Sequence, residues 1–325
     1  ANGGGGPSAD GGGGAGCTAG VVKAECADQT HLFVCRDDGT GWQSKACSYG
    51  QLCMDGVCKT LKCYPKSRIC DATGKILTCR DDGASYLEGA TCNVQGGEAC
   101  VEGECVNLCV LAADEKSYIG CNYWAVHLEN ASQELMGDPK IQASDTAQWG
   151  VVVSNTSTDQ VAQVKITDAK GTTLKTGSVQ PKDLMTFIFD PKSGDGAYNM
   201  TKTGIAGKAL NIQTSVPVSV YQFNPLNNKV KVYSNDASLL LPVHIMSGNY
   251  IVAAREEIDG IPPNHLNRGY FTVVNPNMND VTLTITASCN LEAGSGVPAM
   301  SAGQTITLKL PAHMTLNYST RAKND

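Results

Sequence analysis

No apolar run approaches the ~20 residues that a membrane-crossing helix needs, so nothing in the 325 residues predicts a span. Lysine and arginine form no block, and the formal net charge is -6. That argues against nucleic acid and against an anionic membrane surface as partners. Histidine is scarce: His31, His127, His244, His265 and His313 are the five, and none stands in an HExxH pair or a nucleophile motif. GxSxG is missing, and the glycine runs lack the strand and helix that a phosphate-cradling loop requires. Motif and spacing therefore assign no catalytic residue, no metal ligand and no cofactor. No basic-then-apolar leader is present either. Ala1, opening directly on a Gly-rich stretch, is expected to be the mature end left by cleavage of one.

Cysteine is abundant, and in one place. Thirteen of the fifteen cysteines fall between Cys17 and Cys109. They repeat: Cys17, Cys26, Cys35, Cys47, Cys53 and Cys58 are followed 44 to 47 positions later by Cys63, Cys70, Cys79, Cys92, Cys100 and Cys105. The third cysteine of each unit opens the same word, Cys35-Arg36-Asp37-Asp38-Gly39 and Cys79-Arg80-Asp81-Asp82-Gly83. Units this short cannot bury a self-sufficient core. Bridges worth ~2–4 kcal/mol each supply the deficit, and they persist only in an oxidising compartment. Zinc is the competing reading, since Cys53-x4-Cys58 and Cys100-x4-Cys105 approach ligand spacing. The other cysteines lack paired CxxC knuckles, and His31 has no counterpart in the second unit, so disulfides are preferred. Spacing does not resolve the pairing. The paired aspartates suggest calcium, but they are adjacent and too few. Asp-Gly between short strands predicts a hairpin turn instead.

An odd count leaves Cys109, Cys121 and Cys289. Cys109–Cys121 is the preferred pair, by analogy with the adjacency of Cys17 and Cys26. Cys289 is then free, bridged to another chain, or bridged to a segment beyond Asp325. Beyond Ser117 the composition turns to Val, Ile, Thr, Tyr and Leu in alternating runs. Strands are predicted at 120–128, 148–154, 161–168, 172–179, 184–190, 208–214, 217–223, 230–234, 249–254, 269–275, 281–288, 304–310 and 314–319, with no helix. The expected class is all-β: two small disulfide-rich modules, then two immunoglobulin-like β-sandwiches. The domains read as a flexible tether over 1–16, modules over 17–60 and 61–107, and sandwiches over 108–245 and 246–325. A fainter repeat supports two sandwiches. Trp149-Gly150-Val151-Val152-Val153-Ser154-Asn155 resembles Tyr270-Phe271-Thr272-Val273-Val274-Asn275, and Gln180–Leu184 is matched to Ala302–Ile306. The second sandwich looks incomplete, with an unpaired edge as the consequence.

Two loops are candidate binding sites: Arg255–Arg268, with Glu256, Glu257, Asp259, His265 and Arg268; and the Asn- and Asp-rich turns with Asn224, Asn227, Asn235 and Asp236. Asn130, Asn155, Asn199 and Asn317 fit the N-glycosylation pattern at about the chance level for so Asn- and Thr-rich a chain.

Ile119-Gly120-Cys121-Asn122-Tyr123-Trp124-Ala125-Val126, Val151–Asn155, Val216-Pro217-Val218-Ser219-Val220-Tyr221-Gln222-Phe223-Asn224-Pro225-Leu226 and Ser234-Asn235-Asp236-Ala237-Ser238-Leu239-Leu240-Leu241-Pro242 resemble the IgG Fc-binding-protein-like N-terminal domain of secreted, myxobacterial-type bacterial proteins. The cysteine-rich units are similar to modules that precede that domain. The resemblance implies an extracellular, non-enzymatic protein whose domain runs on past Asp325; it does not imply antibody binding. The first functional expectation is a secreted or cell-surface structural or adhesive protein, self-associating into a filament or matrix or holding surface proteins and glycans. The alternatives are a monomeric carbohydrate- or protein-binding module and, last, a secreted hydrolase.

Overall fold

The computed structural model describes residues 16–129, 147–194, 198–226, 235–254, 258–259 and 266–321. The chain is all-β with a few short helical turns, and it divides into two compact units: Ala1–Cys92 with Cys100–Cys105, and Asn93–Ala99 with Val106–Asp325.

Each cysteine module is a three-stranded antiparallel sheet followed by a hairpin. The first sheet is Val22–Asp28, His31–Cys35 and Trp42–Ala46, followed by Gln51–Met54 with Val57–Thr60. The second is Arg68–Cys70, Lys75–Cys79 and Tyr86–Thr91, followed by Glu98–Val101 with Glu104–Asn107. The bridges repeat too: Cys17–Cys35, Cys26–Cys53 and Cys47–Cys58 are answered by Cys63–Cys79, Cys70–Cys100 and Cys92–Cys105. Leu32 and Ile76, at matching positions, are the aliphatic side chains buried in these modules; the rest of the buried apolar matter is cysteine. Sulfur therefore stands where a larger domain would place a core. Asp38 Oδ1 accepts from the Thr40 N–H at 2.9 Å, and Asp82 Oδ1 from the Ala84 N–H at 3.0 Å. These carboxylates are spent on their own turns.

Cys109 bridges Cys121. Adjacency is not the rule behind it, because in both modules the first cysteine reaches the third. Cys109 sits on a helix, Leu108–Asp114, that alternation did not predict. Its origin is local: the Asn107 side chain accepts from the Cys109 and Val110 N–H groups and caps the first turn. Cys289, half-buried in the second core described below, belongs to none of the seven bridges.

The first sandwich is organised by one strand, Leu210–Asn224. Two strands were expected here, 208–214 and 217–223, the second opening on Pro217. The structure runs them together through a bend. Residues 210–214 pair with Asn122–Ala125 and Val164–Thr167, Val218 pairs with Gly120, and residues 219–224 pair with Trp149–Ser154 and Asp236–Leu239. The long strand thus leaves one sheet and enters the facing one, as corner strands of sandwiches do. Pro217 falls at the changeover, where no ladder needs its missing N–H. Thr173–Val179 and Leu184–Phe189 complete the two sheets. Alternate residues of both inner faces, among them Trp149, Val151, Ile166, Phe189, Ile212 and Val220, form a single buried core.

The second core is smaller. Tyr270–Val274 pairs with Thr315–Ser319, and Val281–Thr286 pairs with Thr305–Leu310. Thr315–Ser319 takes another neighbour, Gly204–Ala206. That strand comes from within the segment assigned by sequence to the first sandwich, so the boundary at 245/246 does not separate the two cores. Residues 249–254, expected as a strand, belong to none; Tyr250, Ile251 and Val252 are exposed.

Candidate functional site

Among the described residues, the sequence-derived candidates do not converge on one site. Glu256, Glu257, His265 and Asn227 lie outside the described residues. Asp259 belongs to the short strand Ile258–Asp259, paired with Leu266–Asn267. Arg268 forms an ion pair with Glu292, and Glu292 also accepts from the Thr203 hydroxyl at 3.0 Å. The guanidinium is thereby tied into the wall of the second core. Asn224 is buried, and its amide donates to the Leu128 carbonyl at 2.6 Å. Asn235 and Asp236 are exposed, and Asp236 opens the edge strand Asp236–Leu239 rather than a turn. Tyr270 donates to the Glu129 carbonyl. Burial, helped by the Glu129 and Asp236 carboxylates, pushes its phenol up to about 12. It is a neutral donor at ordinary pH. Of the glycosylation-pattern asparagines, Asn155 and Asn317 are each 1% exposed, closed to a modifying enzyme in the folded chain, and Asn130 lies outside the described residues.

A different feature emerges when the two cores are superposed by topology. Trp149–Ser154, Ala162–Thr167, Thr173–Val179 and Leu184–Phe189 pair first with fourth and second with third. Tyr270–Val274, Val281–Thr286, Thr305–Leu310 and Thr315–Ser319 do the same. Each motif turns on a buried asparagine. The Asn155 amide donates to the Gln160 and Val179 carbonyls at 2.7 and 3.0 Å. The Asn275 amide donates to the Asn279 and Leu310 carbonyls at 2.9 and 3.1 Å. The main chain repeats the match: Asn155 N–H donates to Asp183 O at 2.9 Å and Asn275 N–H to Met314 O at 3.0 Å. The faint repeat is therefore structural. Its second half is misaligned by sequence, because Pro311–Met314, not Ala302–Ile306, is the counterpart of Gln180–Asp183.

The cores differ at their edges: the long strand flanks both Trp149–Ser154 and Ala162–Thr167, and neither Tyr270–Val274 nor Val281–Thr286 has such a neighbour among the described residues. Ala162–Thr167 has the long strand on its outer side, and Ala162, Val164 and Ile166 are 0%, 3% and 0% exposed. Its counterpart Val281–Thr286 pairs, among the described residues, with Thr305–Leu310 alone. Its inward residues Val281, Leu283 and Ile285 stay half-buried, as do Ile306 and Leu308 across from them. Direction of the free amides follows from the ladder. The Ala287 N–H donates across to Gln304 O at 3.0 Å. Alternate residues share that direction, so the Thr282, Thr284 and Thr286 amides point to the outer edge. The strand Val-Thr-Leu-Thr-Ile-Thr carries no charge of its own, although a lysine within an edge strand is a common defence against pairing; the nearest charges are the Asp280–Lys309 pair at its start. An unguarded edge over incompletely covered apolar residues can accept another strand, with main-chain bonds giving affinity and alternate side chains giving specificity. The sequence signal was the second sandwich's short strand count; which edge stood open was not readable before the register was known.

A family model described as IgGFc binding protein matches residues 236–325. The matched stretch runs from the edge strand Asp236–Leu239 through the whole second-core motif. The words at 119–126, 151–155 and 216–226 lie outside it. No curated protein matches the chain, and no solved structure does. No helix among the described residues is long and apolar enough to cross a membrane.

Proposed function

We propose that this chain is an extracellular, non-enzymatic structural or adhesive protein that binds other proteins, a second copy of itself included, by strand addition at the second core. The open Val281–Thr286 edge carries the reading: the first core shows what the same edge looks like when covered. Seven bridges fit an oxidising, exported setting, and a family named for a binding protein matches the stretch that holds the edge. Sedimentation velocity of the oxidised chain over a concentration series, with negative-stain microscopy, tests the reading. Concentration-dependent association into chains or sheets supports it. A species that stays monomeric up to its solubility limit and binds neither cells nor matrix removes it; a glycan-array signal from such a monomer favours the carbohydrate-binding alternative.

A further inference from the structure

Alternation over 249–254 predicts a strand, and the fold gives it no neighbour. The stretch 246–254 is the longest unbroken run of exposed residues among the described residues. Ile251 is 102% exposed, Tyr250 66% and Val252 57%. The run starts held: Met246 N–H donates to Val243 O at 3.2 Å, and Ser247 N–H to the Tyr250 hydroxyl at 2.9 Å. From 250 to 254 no main-chain group bonds to a described residue, and the chain forms neither helix nor ladder. Three β-prone apolar side chains thus stand in water. The fold gains nothing by burial from them.

The parts of the chain before and after this run are locked together elsewhere. Gly204–Ala206 pairs with Thr315–Ser319, and Ile205 N–H donates to Ser295 O at 2.8 Å. Ser319 N–H donates to the Thr203 hydroxyl at 3.0 Å, and Ala209 N–H to the Thr315 hydroxyl at 3.2 Å. A Cβ at Gly294 would lie 2.0 Å from Thr203 O, so the two backbones touch there. Trp124, Val126, Met200 and Ala209, all before the run, form a buried cluster against which Val274, after it, packs. The His313 ring lies 5.2 Å from that of Trp124. These contacts are non-covalent, and none of the seven bridges spans the run: all of them lie between Cys17 and Cys121.

We propose that residues 250–254 are a processing site for an extracellular endoprotease with an apolar primary pocket, and that cleavage leaves two chains held in one fold. An extended segment with unpaired main-chain groups and projecting side chains is the form in which a cleft takes a peptide by strand addition. Exposed connections of this kind are where nicking concentrates, and a cut here needs no prior opening of the fold. The side chains name the pocket: Tyr250 suits a hydrophobic slot, and Val252, Ala253 and Ala254 suit a small one. Water adds across the peptide bond, leaving a carboxylate on the upstream chain and an amine on the downstream chain. The downstream chain keeps the four strands of the second core, and the upstream chain keeps Gly204–Ala206, so parting them would uncover Thr315–Ser319. The inference stands apart from the self-association reading and uses a different segment.

Trace chymotrypsin and elastase, each added to the oxidised full chain without denaturant, test the proposal. The first cut is expected between residues 250 and 254, located by intact mass. A denaturing gel should then show two fragments even without reductant. Native mass spectrometry at micromolar concentration should show both fragments together, one of each. The double variant Tyr250→Asp/Val252→Asp, changed only at exposed positions, should slow that cut at least about tenfold with an unchanged circular dichroism spectrum. A first cut elsewhere, or a double variant cut as fast as wild type, overturns the site. Wild-type fragments that separate once cut overturn the two-chain form. A chain that stays monomeric before and after cutting removes strand addition and leaves this result standing.

Discussion

The two β-cores are built from the same four strands around the same buried asparagine, yet one is sealed and the other is not. The difference lies in the strands added to the four: the second core gains only the short Gly204–Ala206, on Thr315–Ser319. Leu210–Asn224 crosses both sheets of the first core, covers the outer side of Ala162–Thr167 and Trp149–Ser154, and leaves Val164 and Ile166 nearly dry. The second core has the hairpins and the turn chemistry, but Val281, Leu283 and Ile285 are partly wet. Hydrogen-bonded hairpins therefore set the topology, and a shared crossing strand sets the closure.

Truncating the aromatic centre of each core breaks this comparison hardest. Trp149, fully buried and stacked on Phe189 at 4.7 Å, should cost about 3–5 kcal/mol on replacement by alanine. Phe271, half-buried against Tyr318, should cost about 1–2 kcal/mol by the same replacement, since less area is returned to water. Urea unfolding under oxidising conditions measures both. Equal losses mean that the second core is as closed as the first.

The cysteine modules offer a third case, with closure by covalent bonds. Replacing Cys26 and Cys53 together by serine is expected to cost the first module about 2–4 kcal/mol and to leave both cores untouched. Amide exchange resolved by residue checks this; protection lost across Trp149–Ser154 would mean that the units are not independent.

Asn155→Ala and Asn275→Ala sharpen the comparison from the side that the cores share. Each strips buried carbonyls of their donor, at about 1–3 kcal/mol. The two costs should be alike, because both asparagines are 1% exposed and both donate to buried main-chain carbonyls. A loss confined to Asn155 would deny the repeat its structural meaning.

The smallest effect is one of pH. Burial, with the Glu129 and Asp236 carboxylates nearby, raises the Tyr270 phenol to about 12 in the folded chain, above the ordinary tyrosine value of about 10. Between those values the folded state holds a proton that the unfolded state has lost, so stability falls as pH rises from about 10. Tyr270→Phe should remove that step from a tyrosinate-absorbance titration and flatten the fall.

Much of this was legible in the residues. Repeating cysteines announced the modules, and alternation over 149–189 and 270–319 announced the sheets. Elements fixed by a single contact escaped. Leu108–Asp114 depends on one capping asparagine. Gly204–Ala206 is three residues long and is a strand because Thr315–Ser319 lies on one side of it and Ser295 on the other. Pro217 suggests a break and instead marks a crossing. The second half of the internal repeat was misaligned because the loop between the second and third strands is longer in the second core: the offset grows from 120 (Asn155 to Asn275) to 131 (Asp183 to Met314). The candidate loops drew attention by charged, Asn and Asp side chains, yet Arg268 is held in an ion pair with Glu292 and Asn224 ties the long strand to Leu128. A site made of missing main-chain partners has no composition of its own.

The most direct test is Thr284→Pro. Its amide points outward, so proline removes a donor from the open edge while sparing the ladder to Thr305–Leu310. The account predicts a variant that unfolds within about 0.5 kcal/mol of wild type and no longer self-associates in sedimentation velocity. A folded Thr284→Pro chain that assembles as wild type does would contradict it.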